Sequence, residues 1–330
     1  MGMSRHLPRS ALPDCRGRLT ARVNLSNYSW MRVGGPADWL FQPADTEDLA
    51  KFLARLDRGI PVFVMGVGSN LIIRDGGIRG VVVRLGRPFM KLRFDGNAAI
   101  SGAAMLDARV AVAAAARGLD LAFLKTIPGS MGGAVRMNAG CYGSYIADHF
   151  ESATVVLRSG RVCTLGRQQM GFAYRHSDLP ADAVVTEVRL RGERRPEAEI
   201  LNRMKAFERT RNDTQPVKTR TAGSTFRNPA GRSSTGDDDD SHELKAWSLI
   251  DRAGQRGRRL GGAQMSTQHP NFMINLGTAT ASELEELGES VRQAVLSEFN
   301  ILLEWEVVRI GDSGTGNSDA APDASASAPA

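Results

Sequence analysis

An α+β fold is predicted by the way apolar runs change period along the chain. A helix at 48–58 precedes strands at 62–65 and 81–85. Short strands at 154–157, 161–165 and 183–190 then crowd the middle around one alanine-rich helix at 107–117. The last third mixes helices at 246–252 and 281–299 with a closing strand at 302–310.

The first helix reads from Thr46 as its N-cap, with Leu49, Phe52, Leu53 and Leu56 on one face. Gly66 ends the strand after it, and Asp75, Gly76 and Gly77 turn the chain into the next, so this region alternates β and α. Glycine-dense loops separate the middle strands, and a polar helix at 196–211 leads into the third region. The insert 232–241, with aspartates at 237–240, lacks apolar content and reads as an exposed loop. Residues 1–24 are a basic head without periodicity and 312–330 a small, polar, proline-bearing end. Both read as disordered tails around a folded 25–311, with no internal repeat.

With 330 residues, 42% of them apolar, the chain can bury one large core or two to three smaller ones. It contains no apolar stretch of membrane-spanning length, and its first residues lack the apolar run of a secretory signal, so a cytoplasmic protein with no membrane partner is expected. Cys15, Cys141 and Cys163 form no CxxC pair, which argues for free thiols and no metal site. The net charge of +6 calls for an anionic partner. The basic residues are spread along the chain with no nucleic-acid-binding signature, which favours small anionic ligands over nucleic acid.

Two glycine loops carry the clearest chemistry. Met65, Gly66, Val67, Gly68, Ser69, Asn70 and Leu71 follow an apolar strand; such a turn lets backbone N–H groups close around phosphate oxygens, although a tight turn would use the same glycines. It departs from the GxGxxG fingerprint, since Leu71 follows Gly68 at three residues and no helix signal comes after. Ile127, Pro128, Gly129, Ser130, Gly132 and Gly133 form the second loop, which runs on to Asn138 and Gly140. A stretch this poor in side-chain bulk builds no core and suits a large flat ligand lying against backbone. Two separate cradles suit an extended dinucleotide such as FAD. Tyr174 and Arg175 follow in a polar loop, where the planar fork of an arginine matches a carboxylate or a phosphate, or else simply meets solvent. Arg220, Ser224, Arg227 and Asn228 belong to a basic, hydroxyl-rich turn in which Ser224 is either a proton donor or a helix cap. Gln264, Asn271 and Asn275 bracket an apolar strand, and His269 beside them has no partner at metal spacing, so a hydrogen-bonding role is its default. Glu304 and Glu306 alternate with Trp305 in the closing strand, so their carboxylates share one face.

These pieces, in this order, resemble the UDP-N-acetylenolpyruvoylglucosamine reductase family, in the form lacking a tyrosine-bearing loop insertion. The resemblance spans about residues 26–311 and rests on GVGSNLIIRDGG (66–77), IPGSMGGAVRMNAGCYG (127–143), YRHS (174–177), AGSTFRNP (222–229), GGAQMSTQHPNFMIN (261–275) and EWEVVRIG (304–311). It implies a two-subdomain FAD-binding module (PCMH/vanillyl-alcohol-oxidase-like), at 25–88 and 89–195, followed by an α+β substrate-binding domain at 196–311. It further implies a two-stage exchange: NADPH reduces the flavin, NADP leaves, and the UDP-sugar enters the same cleft. By motif position, Arg175 resembles the family arginine that stabilises the charge developing on the enolpyruvyl carboxylate, Glu306 the acid that assists it, and Ser224 the final proton donor. Tyr174, Arg220, Arg227, Asn228, Gln264, His269 and Asn271 fall in the substrate-binding motifs, and Lys218 is a further candidate for positive field. Arg227 stands where lysine is common in the family. The resemblance implies the UDP-sugar and NADPH as partners, and a monomer is expected.

Two other readings compete. An FAD oxidase sharing only the flavin module would have no reason to hold YRHS, AGSTFRNP and EWEV together. A binding module without catalysis would be colourless and would bind DNA with a steep salt dependence.

Overall fold

Val81, Val82 and Val83 are all fully buried because their strand, Ile78–Val83, is covered on both faces: Val81 and Val83 face one apolar cluster and Val82 another. The computed structural model describes residues 7–233 and 243–314. Its first sheet has four strands in the order Arg18–Asn24, Pro36–Gln42, Ile78–Val83, Val62–Val64, antiparallel in the first pair and parallel in the others. The helix Thr46–Arg55 makes the crossover and presses Leu49, Phe52 and Leu53 onto one face.

A second sheet of five antiparallel strands runs Val162–Gly166, Phe150–Val156, Val184–Arg191, Ala98–Gly102, Leu92–Asp95. The helices Asp107–Ala115 and Met131–Arg136 lie on it. The small side chains of Val110, Ala111, Ala114 and Ala115 let the first of them pack close, so all four are buried. The helix Glu197–Thr214 adds Ile200 and Met204 to this same core, so the polar helix expected to open the third region packs with the middle one. A third sheet of four antiparallel strands, Arg220–Ser224, Phe272–Asn275, Ala263–Met265, Arg259–Leu260, is backed by Ala281–Phe299 and Ala246–Arg252.

The end of the chain returns to its beginning. Val308–Ile310 pairs in parallel with Leu71–Ile73, directly after the first glycine loop. Asn70 Nδ2 donates to Glu306 O (3.1 Å), and the carboxylate of Asp75 accepts from the N–H groups of Ala281 and Ser282 at the start of the long helix. That pairing draws the glycine loop into the third region.

Several expectations need correction. Asp45, not Thr46, is the first N-cap: its carboxylate accepts from Asp48 N, and the helix starts in polar residues that carry no periodic signal. Residues 18–24, assigned to the disordered head, form an edge strand; arginines on its exposed positions hide the pattern, and charge there guards a free edge. Within the second glycine loop, Met131–Arg136 is a helix whose Met131, Ala134 and Val135 are buried, although glycine is a poor helix former. The closing strand covers only Val308–Ile310, so Glu304 and Glu306 share no strand face: Glu304 is exposed and Glu306 points inward to Arg175. The aspartates 237–240 and the end 315–330 lie outside the described residues. Among the described residues no helix is long and apolar enough to cross a membrane.

Gly288, in the middle of the long helix, is where the ring of Trp305 rests, and a Cβ there would run into the ring. Trp305 is fixed besides by Phe226, 5.0 Å away between ring centroids, and by its Nε1 donating to Glu289 Oε1 (2.8 Å). Gly288→Ala would stabilise an open helix by up to ~1 kcal/mol. Here it is expected to destabilise by about 2 kcal/mol through overpacking, lowering the urea midpoint; an unchanged or raised midpoint contradicts this packing.

Candidate active site

Between the three sheets lies a cleft of about 400 Å³, walled by loops from every region; known ligand sites run from about 300 to 1,000 Å³. Gly68 takes a left-handed φ of +69°, and a Cβ there would strike the carbonyl of Tyr28, so only glycine lets this turn close. A Cβ on Gly66 would come 3.1 Å from Ser130 Oγ, which sets the two glycine loops face to face. Gly133 is open: a Cβ there meets no atom within 4 Å, although the residue lines the cleft.

Arg175 sits in the two-residue turn between Ala173 and His176, whose backbones bond to each other in both directions. It holds a left-handed φ of +54°, a costly conformation for a side-chain-bearing residue. Its Nε donates to Glu306 Oε1 (2.8 Å) and its Nη1 to Gly140 O (3.2 Å), and the two side chains of this ion pair are only 15% and 12% exposed. Burial works against the guanidinium's charge, but Glu306, with Tyr174 and Tyr145, outweighs it and leaves the proton held more firmly than usual.

Ser224 ends the strand Arg220–Ser224 and lines the cleft. Thr225 O accepts from Glu306 N (2.9 Å), so the residue next to Ser224 is bonded to the backbone of the carboxylate that holds Arg175. Asn271 fixes this geometry by grasping both backbone groups of Phe226 with its amide. One hydroxyl, one carboxylate and one guanidinium thus line the same cleft. Such a set can bind a carboxylate, oppose charge building on it and deliver a proton nearby.

His269 lines the same wall against Phe272 and Trp247, its Nδ1 accepting from Asn271 N (3.3 Å). Burial pushes its pKa down to about 4, so the ring is neutral at pH 7. An unfolded histidine takes its proton near about 6.5. The unfolded chain therefore binds a proton that the folded one refuses between these values, and stability falls as the pH drops from about 6.5 to about 4. A loss on the order of 2 kcal/mol is expected across that window, allowing for partial exposure, and His269→Gln should flatten it. Parallel stability–pH curves for the two proteins contradict the assignment.

Most residues singled out from the sequence reach the cleft: Gly66, Val67, Gly68, Ser69, Asn70 and Leu71; Ile127, Pro128, Gly129, Ser130, Gly133 and Gly140; Tyr174, Arg175, Ser224, Asn228, His269, Asn271 and Glu306. Six stand off it. Met65 is buried beneath the first loop, and Gly132 lies against Ala103. Asn138 braces the Arg175 turn by donating to Ala173 O. Arg220 donates to Gly277 O, Gln264 to Gly257 O, and Arg227 lies 3.7 Å from Glu304. Sequence reasoning missed Asp107, Arg211 and Trp247, all in the lining, and met Tyr142, which also lines it, only as part of the second glycine stretch. Arg211 donates to Thr126 O from a helix that reads as solvated, and the ring of Tyr142 stacks on Phe207 of that helix at 4.6 Å. Asp107 is fully buried, and among the described residues neither carboxyl oxygen has a partner. Among the described residues no cluster of histidine, cysteine and acidic side chains is arranged to hold a metal ion.

Residues 37–166 match the family model described as FAD binding domain, and residues 215–310 match that of the UDP-N-acetylenolpyruvoylglucosamine reductase C-terminal domain. Two curated proteins bearing the name UDP-N-acetylenolpyruvoylglucosamine reductase are similar over nearly their whole length. The one from Paracoccus denitrificans is 61% identical over 300 residues, 91% of this chain and 98% of its own. The one from Jannaschia sp. is 58% identical over 300 residues, 91% of this chain and 97% of its own. The crystal structure of UDP-N-acetylenolpyruvylglucosamine reductase from Thermus caldophilus superposes with a TM-score of 0.75 at 36% identity, covering 89% of this chain and 99% of that one.

Proposed function

The chain belongs to the UDP-N-acetylenolpyruvoylglucosamine reductase family, and on that premise we propose that Arg175, Glu306 and Ser224 carry the chemistry of its cleft. The reaction is the NADPH-dependent, FAD-mediated reduction of UDP-N-acetylglucosamine enolpyruvate to UDP-N-acetylmuramate, a step of peptidoglycan precursor synthesis. When bound, FAD supplies the passage of an electron pair from NADPH to the enolpyruvyl double bond.

The cleft fits that cofactor: two glycine loops face each other with only the small side chains of Ser69 and Ser130 and the carboxyl of Asp107 at their seam, Gly133 offers free space, and that carboxyl has no hydrogen-bond partner among the described residues. In this proposal residues 66–71, with 127–130, Gly133 and Gly140, hold the dinucleotide. Tyr174, Asn228, His269 and Asn271 bind the UDP-sugar, while Met65, Gly132, Asn138, Arg220, Arg227 and Gln264 support the walls.

An electron pair added at the outer enolpyruvyl carbon pushes negative charge towards a carboxylate that is already an anion. Arg175 offsets that charge: Glu306 and Gly140 hold its Nε and Nη1, and Nη2, which has no hydrogen-bond partner among the described residues, serves the substrate. Glu306 keeps the guanidinium in place, and the Ser224 hydroxyl gives the proton that completes the saturated carbon. A serine hydroxyl is a weak acid, and the neighbouring cation is what makes the transfer feasible. The observation carrying this reading is the strained φ of Arg175 combined with its buried pairing to Glu306, a cost that a merely structural surface arginine would not sustain.

The proposal extends to a monomer acting in the cytoplasm, apart from membranes and nucleic acid, with 25–88, joined by the strand Arg18–Asn24, and 89–195, joined by the helix Glu197–Thr214, as the cofactor module and the remainder of 196–311 as the substrate domain. An anaerobic half-reaction assay tests the core of it. NADPH should bleach the enzyme's flavin, and the enolpyruvyl sugar nucleotide should then restore the colour. Bleaching without restoration refutes the assignment.

A further inference from the structure

Asp107 opens the helix Asp107–Ala115, where an aspartate ordinarily sits in water and accepts backbone N–H bonds. This one does neither. Its side chain is 0% exposed, neither carboxyl oxygen has a partner among the described residues, and the N-cap position belongs to Leu106. Behind it lies the apolar core of the middle sheet, with Val110, Ala111 and Met131 fully buried. An unmet buried polar group costs about 1–3 kcal/mol, so a hydrogen-bonding partner for this carboxyl would be stabilising.

Asp107 belongs to the lining of the cleft, just beneath its surface. A Cβ built on Gly129 would stand 2.8 Å from Asp107 Oδ2 and 3.9 Å from Ser69 Oγ, so the carboxyl lies at the seam between the two glycine loops. Asp107 N also donates to Gly129 O (3.3 Å), tying the helix start to that seam.

We propose that Asp107 is a cofactor-positioning residue whose carboxyl group donates a hydrogen bond, at the seam of the two glycine loops, to an acceptor oxygen or nitrogen of the bound dinucleotide. The inference rests on the FAD reading above and adds a contact that neither glycine loop supplies. A donor is the required form: burial, with no opposing cation, raises the pKa well above the usual carboxylate range. An ionised carboxylate there would also repel the diphosphate of FAD. A neutral acid complements it.

The test uses the holoenzyme and reads cofactor retention, not turnover. Asp107→Ala should release flavin at least about tenfold faster on dilution, equivalent to about 1.4 kcal/mol. Asp107→Asn keeps a donor and should stay within about threefold of wild type. The infrared difference between wild type and Asp107→Asn at pH 7 should contain the C=O band of a neutral carboxylic acid. Wild-type retention in Asp107→Ala, or absence of that band, overturns the proposal. Should Asp107→Ala fail to fold, Asp107→Asn decides alone, and tenfold faster release from it is fatal. A wild-type protein that purifies without any flavin spectrum would instead sink the FAD reading itself, before any variant is made.

Discussion

Ser224→Ala is expected to reduce its flavin with NADPH at the wild-type rate and then to reoxidise it with the enolpyruvyl sugar about a thousandfold more slowly. The two halves separate because only the second makes a C–H bond that needs a proton from the protein. Ser224 lines the cleft beside the backbone pairing of Thr225 with Glu306, so removing one oxygen takes away the donor while Thr225, Phe226 and Asn271 keep the wall in place. Rapid-mixing absorbance at the flavin band measures each half alone. Equal slowing of both halves would mean that Ser224 holds the cleft together rather than delivering a proton, and a wild-type second half would remove it from the chemistry.

Arg175→Lys should slow the sugar half-reaction by about a hundredfold while leaving the NADPH half within a few-fold. The guanidinium meets Glu306 through Nε and Gly140 through Nη1 at once. An ammonium is a compact point charge that cannot span both and still reach a third partner. The left-handed backbone at this position is equally costly for either residue, so the comparison isolates the side chain. Wild-type turnover in the lysine variant would show that charge suffices and geometry does not, contrary to the role assigned.

Much of this cleft was legible residue by residue. The glycine loops at 66–71 and 127–133 announce backbone brought close to a ligand, because so little side chain has no other use beside apolar strands. The helices Ala246–Arg252 and Ala281–Phe299 match their periodicity end to end, since each buries one continuous face. The head strand Arg18–Asn24 was not legible: an edge strand is half solvated and its arginines mimic a tail. Arg211 and Asp107 escaped for a related reason. Each occupies a helix position where a charge normally meets water, and only packing against other segments puts it in a cleft.

The α+β class, the two cradles and the residue types able to bind anions follow from the order of residues alone, because period, turn chemistry and hydrogen-bonding capacity are local properties. That Arg175 grips Glu306 across 131 positions, that Val308–Ile310 closes on Leu71–Ile73, and that Asp107 has no partner among the described residues were decided only by tertiary structure. Burial and long-range pairing depend on which surfaces exclude water together, and no window of sequence contains that.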